Sequence, residues 1–138
     1  MKAKNSCYTY FTIIGNFDPL VITDLLQLSP EHTRRIGATR PNGSTCDTAR
    51  WEIGRCERYD PIVSNQMEKT ISVLLDKIDI LNKIREKYNA KLYLSVVPCV
   101  YTDDVSPGLA PSLAVMDFCH ATRTEIDVDL YVYDKTDG

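Results

Sequence analysis

Two periodicities organise the chain. From Glu125 to Tyr133 apolar and polar positions alternate strictly: Ile126, Val128, Leu130 and Val132 interleave with Glu125, Asp127, Asp129, Tyr131 and Tyr133. A period of two places one strand face on a core and the other towards water, so a strand is predicted over 124–133. From Met67 to Ile78 the period is helical. Met67, Ile71, Leu74, Leu75 and Ile78 stand at i, i+4, i+7, i+8 and i+11, one apolar stripe. Asn65 and Glu68 have the spacing of a capping box at its start. Ile80, Leu81, Ile84 and Tyr88 continue the helical spacing after a kink expected near Asp79.

Shorter signals fill in the order. Residues 7–14, Cys-Tyr-Thr-Tyr-Phe-Thr-Ile-Ile, are β-branched and aromatic with apolar groups on both faces, which predicts an interior strand. Phe17-Asp18-Pro19 then reads as a helix start. Asp18 is a capping acceptor, Pro19 fits the first helical position, and Phe17 with Ile22 makes a hydrophobic staple. That helix is expected to end at about Leu26, with Val21, Ile22, Leu25 and Leu26 inward. Ser29-Pro30 opens a turn or short helical piece stopped by Gly37. Residues 38–50 carry turn formers and little apolar content, so a loop is expected there, the most mobile part of the chain. Trp51–Cys56 reads as a short strand. Leu92–Val97 reads as another, with Pro98 placing it at an edge or ending it. A helix is predicted around Ser112–His120.

The predicted order, β-α-β-α-α-β-α-β, fits an α+β fold: a mostly antiparallel sheet with helices packed on one face, for which a ferredoxin-like arrangement is one solution. The 138 residues are expected to form one domain, long enough to fold without a disulfide or metal. No apolar run reaches the ~20 residues of a membrane span, and the basic start, Met1-Lys-Ala-Lys4, leads into a strand rather than a signal-peptide core. Five cysteines, an odd number without short Cys-x-x-Cys pairs, fit reduced thiols in a cytoplasmic protein better than a disulfide framework or a zinc site. A net charge of −3 argues against a nucleic-acid partner.

Candidate chemistry is sparse. Neither His32 nor His120 belongs to a recognised nucleophile motif, and Cys119-His120 are adjacent helical positions that point apart. Gly37 to Gly43 has five intervening residues and no following lysine, which excludes a phosphate loop. Asp18 is explained by helix capping. The column Glu125, Asp127 and Asp129 would align three carboxylates ~7 Å apart on one strand face. One strand supplies no convergence for a metal ion, so the column reads as a solvated or partner-binding surface.

Charge is also unevenly placed. Residues 102–138 hold eight acidic side chains, including Asp103, Asp137 and the column, against Arg123 and Lys135. Six of the eight arginines (Arg34, Arg35, Arg40, Arg50, Arg55, Arg58) fall between 34 and 58. The economical expectation is that the two regions pair within the fold; if they do not, each steers an oppositely charged partner. Trp51, Tyr8, Tyr10 and Tyr131 are the candidates for an aromatic pocket, with Tyr8 and Tyr10 facing Tyr131 and Tyr133 if the first and last strands are neighbours.

Tyr8-x-Tyr10-Phe11-x-Ile13-x-Gly15-x-Phe17-Asp18-Pro19, Leu26-x-Leu28-x-Pro30, Trp51-Glu52 and Ile126-Asp127-Val128-Asp129-Leu130-Tyr131 together resemble the bacterial domain-of-unknown-function family 4279. The resemblance spans nearly the whole chain in order and is weakest in the Arg-Pro-Asn-Gly-Ser stretch of the middle loop. It implies a small, freestanding, bacterial cytosolic α+β protein and brings no activity or ligand. With no catalytic residue, cofactor or metal set indicated, the leading expectation is a non-enzymatic protein-binding module. An immunity-type inhibitor of a toxin is its concrete form, with Glu125, Asp127, Asp129, Arg34 and Arg35 meeting the partner. The alternative is a small-molecule or weakly catalytic pocket near Trp51 and the 34–58 arginines. A homodimer closing a sheet face or edge is a further option.

Overall fold

The computed structural model describes residues 4–134, so Lys135 and Asp137 lie outside the described residues. The first strand, β1, runs Ser6–Gly15. Helix α1 follows at Pro19–Leu26, started as predicted: the Asp18 carboxylate accepts from the Leu20 N–H at 3.0 Å and Pro19 opens the first turn. Ile22 and Leu26 are fully buried, which stabilises by about 1.5–3 kcal/mol each. Val21 and Leu25, expected inward, are instead about 40% exposed, because an eight-residue helix lying on a sheet buries only a narrow stripe.

The stretch read as a turn or helical piece contains β2, His32–Arg34. It pairs antiparallel with β3, Ala49–Cys56. Between them the polar segment expected as a plain loop folds back on itself. Thr39 and Thr45 form a bridge around Asn42-Gly43, and Cys46 is buried, exchanging backbone hydrogen bonds with Gly37 and Ala38.

The helical stripe is real but interrupted. Helix α2 spans Ser64–Ile71, a 3-10 turn covers Ser72–Leu74, and α3 spans Ile78–Lys87. Met67, Ile71 and Leu74 are fully buried, whereas Leu75 is 52% exposed where the chain turns. The break therefore falls before Asp79. No capping box forms. Val63 occupies the cap, while Asn65 donates to the Asp60 carboxylate at 2.9 Å.

Strand β4, Lys91–Tyr101, passes straight through Pro98 and is central rather than marginal. After α4, Leu113–Thr122, the chain enters β5, Glu125–Val128, and then β6, Tyr131–Tyr133, both parallel to β4. The expected continuous last strand is thus two pieces, and the gap between them explains the proline. Alternate residues of a strand turn their backbone polar groups to the same neighbour. Val96 C=O accepts from Asp129 N–H, so the N–H that Pro98 lacks would face the same edge, where β5 has ended and β6 has not begun. The edge position also overturns the burial expected from the alternation: Val128, Leu130 and Val132 are 44–59% exposed.

The sheet order is β2-β3-β1-β4-β5, with β6 beside the far end of β4. Three ladders are antiparallel and two parallel, so the sheet is mixed and the fold α+β. The helices cover one face only. Phe11, Ile13, Trp51, Ile53, Leu92, Leu94 and Val96 point into that face and join Ile22, Met67, Leu81, Ile84 and Phe118 in the core. Phe11 meets Phe118 edge to face with centroids 6.1 Å apart.

Candidate functional site

The face left uncovered is built from the alternate positions. Strand pairing lays Thr12 beside Glu52 on one side and Tyr93 on the other, with His32 and Glu125 at the ends of the same row. The next row holds Tyr10, Ser95 and Asp127; beyond it lie Tyr8 with Val97, then Cys99 with Tyr131, then Tyr101 with Tyr133. Six of the eight tyrosines, all partly or well exposed, therefore share this face, while Trp51 and Phe11 lie on the other.

A β-bulge shapes the cationic side. Between the pairs Thr9–Cys56 and Phe11–Ile53, Gly54 and Arg55 together oppose Tyr10. Gly54 has φ +77°, and a Cβ there would sit 2.5 Å from the Thr70 carbonyl oxygen, so this position requires glycine. The Glu31 carboxylate accepts from both bulge amides, Gly54 N–H at 3.1 Å and Arg55 N–H at 3.1 Å. The extra residue turns Arg55 onto the open face, its guanidinium 4.3 Å from the Tyr8 ring centre and 5.8 Å from that of Tyr10. Its hydrogen bond with Glu57 raises its pKa further above an already high value.

Towards the other end of β1 the face sinks into a concavity of about 380 Å³. Thr12 and Ser95 form its floor and Tyr10 and Tyr93 flank it. Arg50 stands on one side and Glu125 and Asp127 on the other. Thr12 is 1% exposed and its hydroxyl has no hydrogen-bond partner among the described residues. Arg50 is paired with Glu52 at 2.7 Å. Glu125 and Asp127 form no ion pair with any described residue.

The acidic and arginine-rich segments are brought to opposite edges, with β1 and β4 between them. Arg50 and Glu125 stand three strand spacings apart, ~14 Å at the backbone. The expectation that the two regions neutralise each other fails, since no ion pair among the described residues links them. Asp129 lies past the end of β5, where it accepts from the Tyr131 hydroxyl at 3.0 Å; that bond and the carboxylate's charge raise the Tyr131 pKa. Among the described residues no group of three His, Cys, Asp or Glu is placed to hold a metal ion.

Arg34 faces the open side next to Arg50 and donates to Thr48 at 3.0–3.1 Å, while Arg35 is exposed just beyond β2. Trp51 lies under α1, fully buried, its indole N–H 3.1 Å from the Thr23 hydroxyl, and so stands apart from the open face. Tyr8 and Tyr10 do not meet Tyr131 and Tyr133 across a ladder, because β4 intervenes. They stack on each other at 6.0 Å, and Tyr133 stacks on Tyr101 at 5.3 Å. Tyr93 and Thr12 were missed as candidates, and Arg50 and Arg55 were named only as members of the 34–58 arginine group. For Tyr93 a signal existed: in Leu92-Tyr-Leu-Ser-Val96 Tyr93 and Ser95 alternate with aliphatic residues. Cys119 is buried with its thiol pKa pushed up to about 11 by desolvation, which opposes any role as a nucleophile.

Comparison with curated proteins returns no match, and comparison with solved structures returns none. The family model described as Domain of unknown function (DUF4279) matches residues 5–133. With nearly the whole chain matched, this protein belongs to that family.

Proposed function

We propose that the chain is a non-enzymatic protein-binding module and that the uncovered face of its sheet is the docking surface. The observation that carries this reading is the sorting of aromatic residues: tyrosines line the open face and the large apolar rings lie beneath the helices. Tyrosine and arginine are the residues around which binding energy concentrates in protein interfaces, since each offers a large apolar body with a polar tip. The strands, three to eleven residues long, make a face of roughly 600 Å² before side-chain relief. That approaches the ~800 Å² that one partner contributes to a standard interface. Glu52, Glu57, Glu125 and Asp127 on or beside the same face disfavour a polyanion, so the tyrosines do not read as a nucleic-acid stacking platform.

The separated charges, arginines at one edge and carboxylates at the other, fit a partner with the complementary arrangement, steered into place electrostatically. A stoichiometric inhibitor of a basic toxin, acting in a reducing cytosol where five unbridged cysteines persist, is the concrete form of this reading. Affinity capture with the tagged chain from an extract of its source, at low and high salt, tests it. A specific protein should be retained at low salt, weakened at high salt and lost from a Y8S/Y10S/Y101S variant, while a helix-side K83A variant retains it. No protein recovered at either salt, or equal recovery by the open-face variant, overturns the reading.

A further inference from the structure

We propose that the concavity between Tyr10 and Tyr93 is a receptor for an organic cation, the ammonium or guanidinium of a basic side chain presented by the partner. The inference rests on reading the open face as the docking surface and adds the chemistry of one subsite to it. Two independent observations converge there. The first is charge. Arg50 is already neutralised by Glu52 at 2.7 Å, which leaves Glu125 and Asp127 as the unbalanced charges on the rim. Lys91 and Arg123 border the far side of Glu125 without an ion pair to any described residue, so Asp127 carries the larger share of any attraction.

The second observation is the floor. Thr12 is 1% exposed, its hydroxyl lacks a partner among the described residues, and it lines this same concavity. A buried hydroxyl is ordinarily hydrogen-bonded, so an unpaired one marks a place where an incoming group completes the bonding. An N–H donor on a cation matches the vacant acceptor capacity of Thr12 and of both carboxylates. Aromatic rings in the lining, Tyr10 and Tyr93, favour a cation over a neutral group. An anionic ligand would meet two carboxylates, and an apolar one would leave the Thr12 hydroxyl unpaired.

The test is an amide NMR titration at low ionic strength, following Tyr10, Tyr93 and Asp127 as N-acetyl-lysine amide, N-acetyl-arginine amide or N-acetyl-norleucine amide is added. Saturable shifts are expected from at least one cation, with the neutral norleucine compound weaker by about tenfold or more. The E125Q/D127N variant, altered only at exposed positions, should weaken the cation by about tenfold. T12V should weaken it severalfold while keeping its spectrum. Equal binding of the norleucine compound, no saturable shift, or unchanged affinity in E125Q/D127N overturns the proposal. Cation binding that fails while partner capture survives refutes the receptor alone. Capture that fails while the cation still saturates refutes the wider docking reading alone.

Discussion

Replacing Gly54 by alanine probes the bulge that shapes the open face. Two costs are separable. At φ +77° an alanine meets the left-handed penalty, about 1–2 kcal/mol. Its methyl group would also lie 2.5 Å from the Thr70 carbonyl oxygen and 3.1 Å from the Thr70 side-chain methyl. Helix α2 must then withdraw from β3. That strains the hydrogen bonds of the Thr70 hydroxyl to the Gly54 carbonyl and to Thr9, each 2.7 Å long, an overpacking cost of about 1–3 kcal/mol. Together G54A should lose about 2–5 kcal/mol. Gly37 and Gly43 supply the control. Their φ values are +86° and +87°, but nothing lies within 4 Å of an added Cβ, so G37A and G43A should lose only the backbone part. Trp51, the single and fully buried tryptophan, reports unfolding in urea. With a slope of about 1.6 kcal/mol/M the midpoint should fall by roughly 1–3 M for G54A and by about 1 M for the controls. A G54A midpoint no lower than those of the controls would refute the close approach of α2 to the bulge.

Two other perturbations test the core and the thiols. Gln66, 2% exposed, donates from Nε2 to the Cys7 and Cys56 carbonyls at 2.8 and 3.2 Å and accepts from Asp60 N–H at 3.0 Å. Q66L strands all three groups and should cost about 3 kcal/mol, a fall of roughly 10 °C in a calorimetric Tm; a loss under about 1 kcal/mol refutes the bridge. Among the five thiols, Cys99 alone is partly exposed, so iodoacetamide on the native protein should label it first by mass spectrometry. Equally fast labelling of Cys7 or Cys119 contradicts their burial. Burial raises both of those thiols from 9.0 to about 11. The unfolded chain therefore releases these protons first, and urea midpoints should hold below pH 9 and decline as pH rises towards 11.

Local chemistry sufficed for the elements whose partners are near in sequence. Asp18-Pro19 and Ser112 start α1 and α4 where a capping residue stands before an apolar stripe, because the first-turn N–H groups are satisfied within three residues. The period of two after Thr124 marked extended chain. It did not say that this strand lies at an edge, parallel to β4, with its apolar side half open. That depends on β4 being already flanked by β1, through pairs as far apart in sequence as Ser6 and Cys99. Likewise Asn65 and Glu68 have capping-box spacing, but packing against β3 and β1 sets where α2 begins.

The family resemblance was legible because its residues form the strand ends, caps and core positions of a whole fold. The candidate site was half legible. Glu125, Asp127 and Tyr10 could be named from their types. Thr12, Tyr93, Arg50 and Arg55 carry no local signal that places them together, since only strand register and the Gly54 bulge bring them to one face. Sequence alone thus determined most of the strand and helix segments, β2 excepted, as these follow from neighbours a few residues away, but not how deeply each apolar side chain is buried. The order β2-β3-β1-β4-β5 was decided by tertiary structure, because that order depends on burying all the helices' apolar stripes at once. The same packing left one sheet face bare and held the arginines and carboxylates at opposite edges.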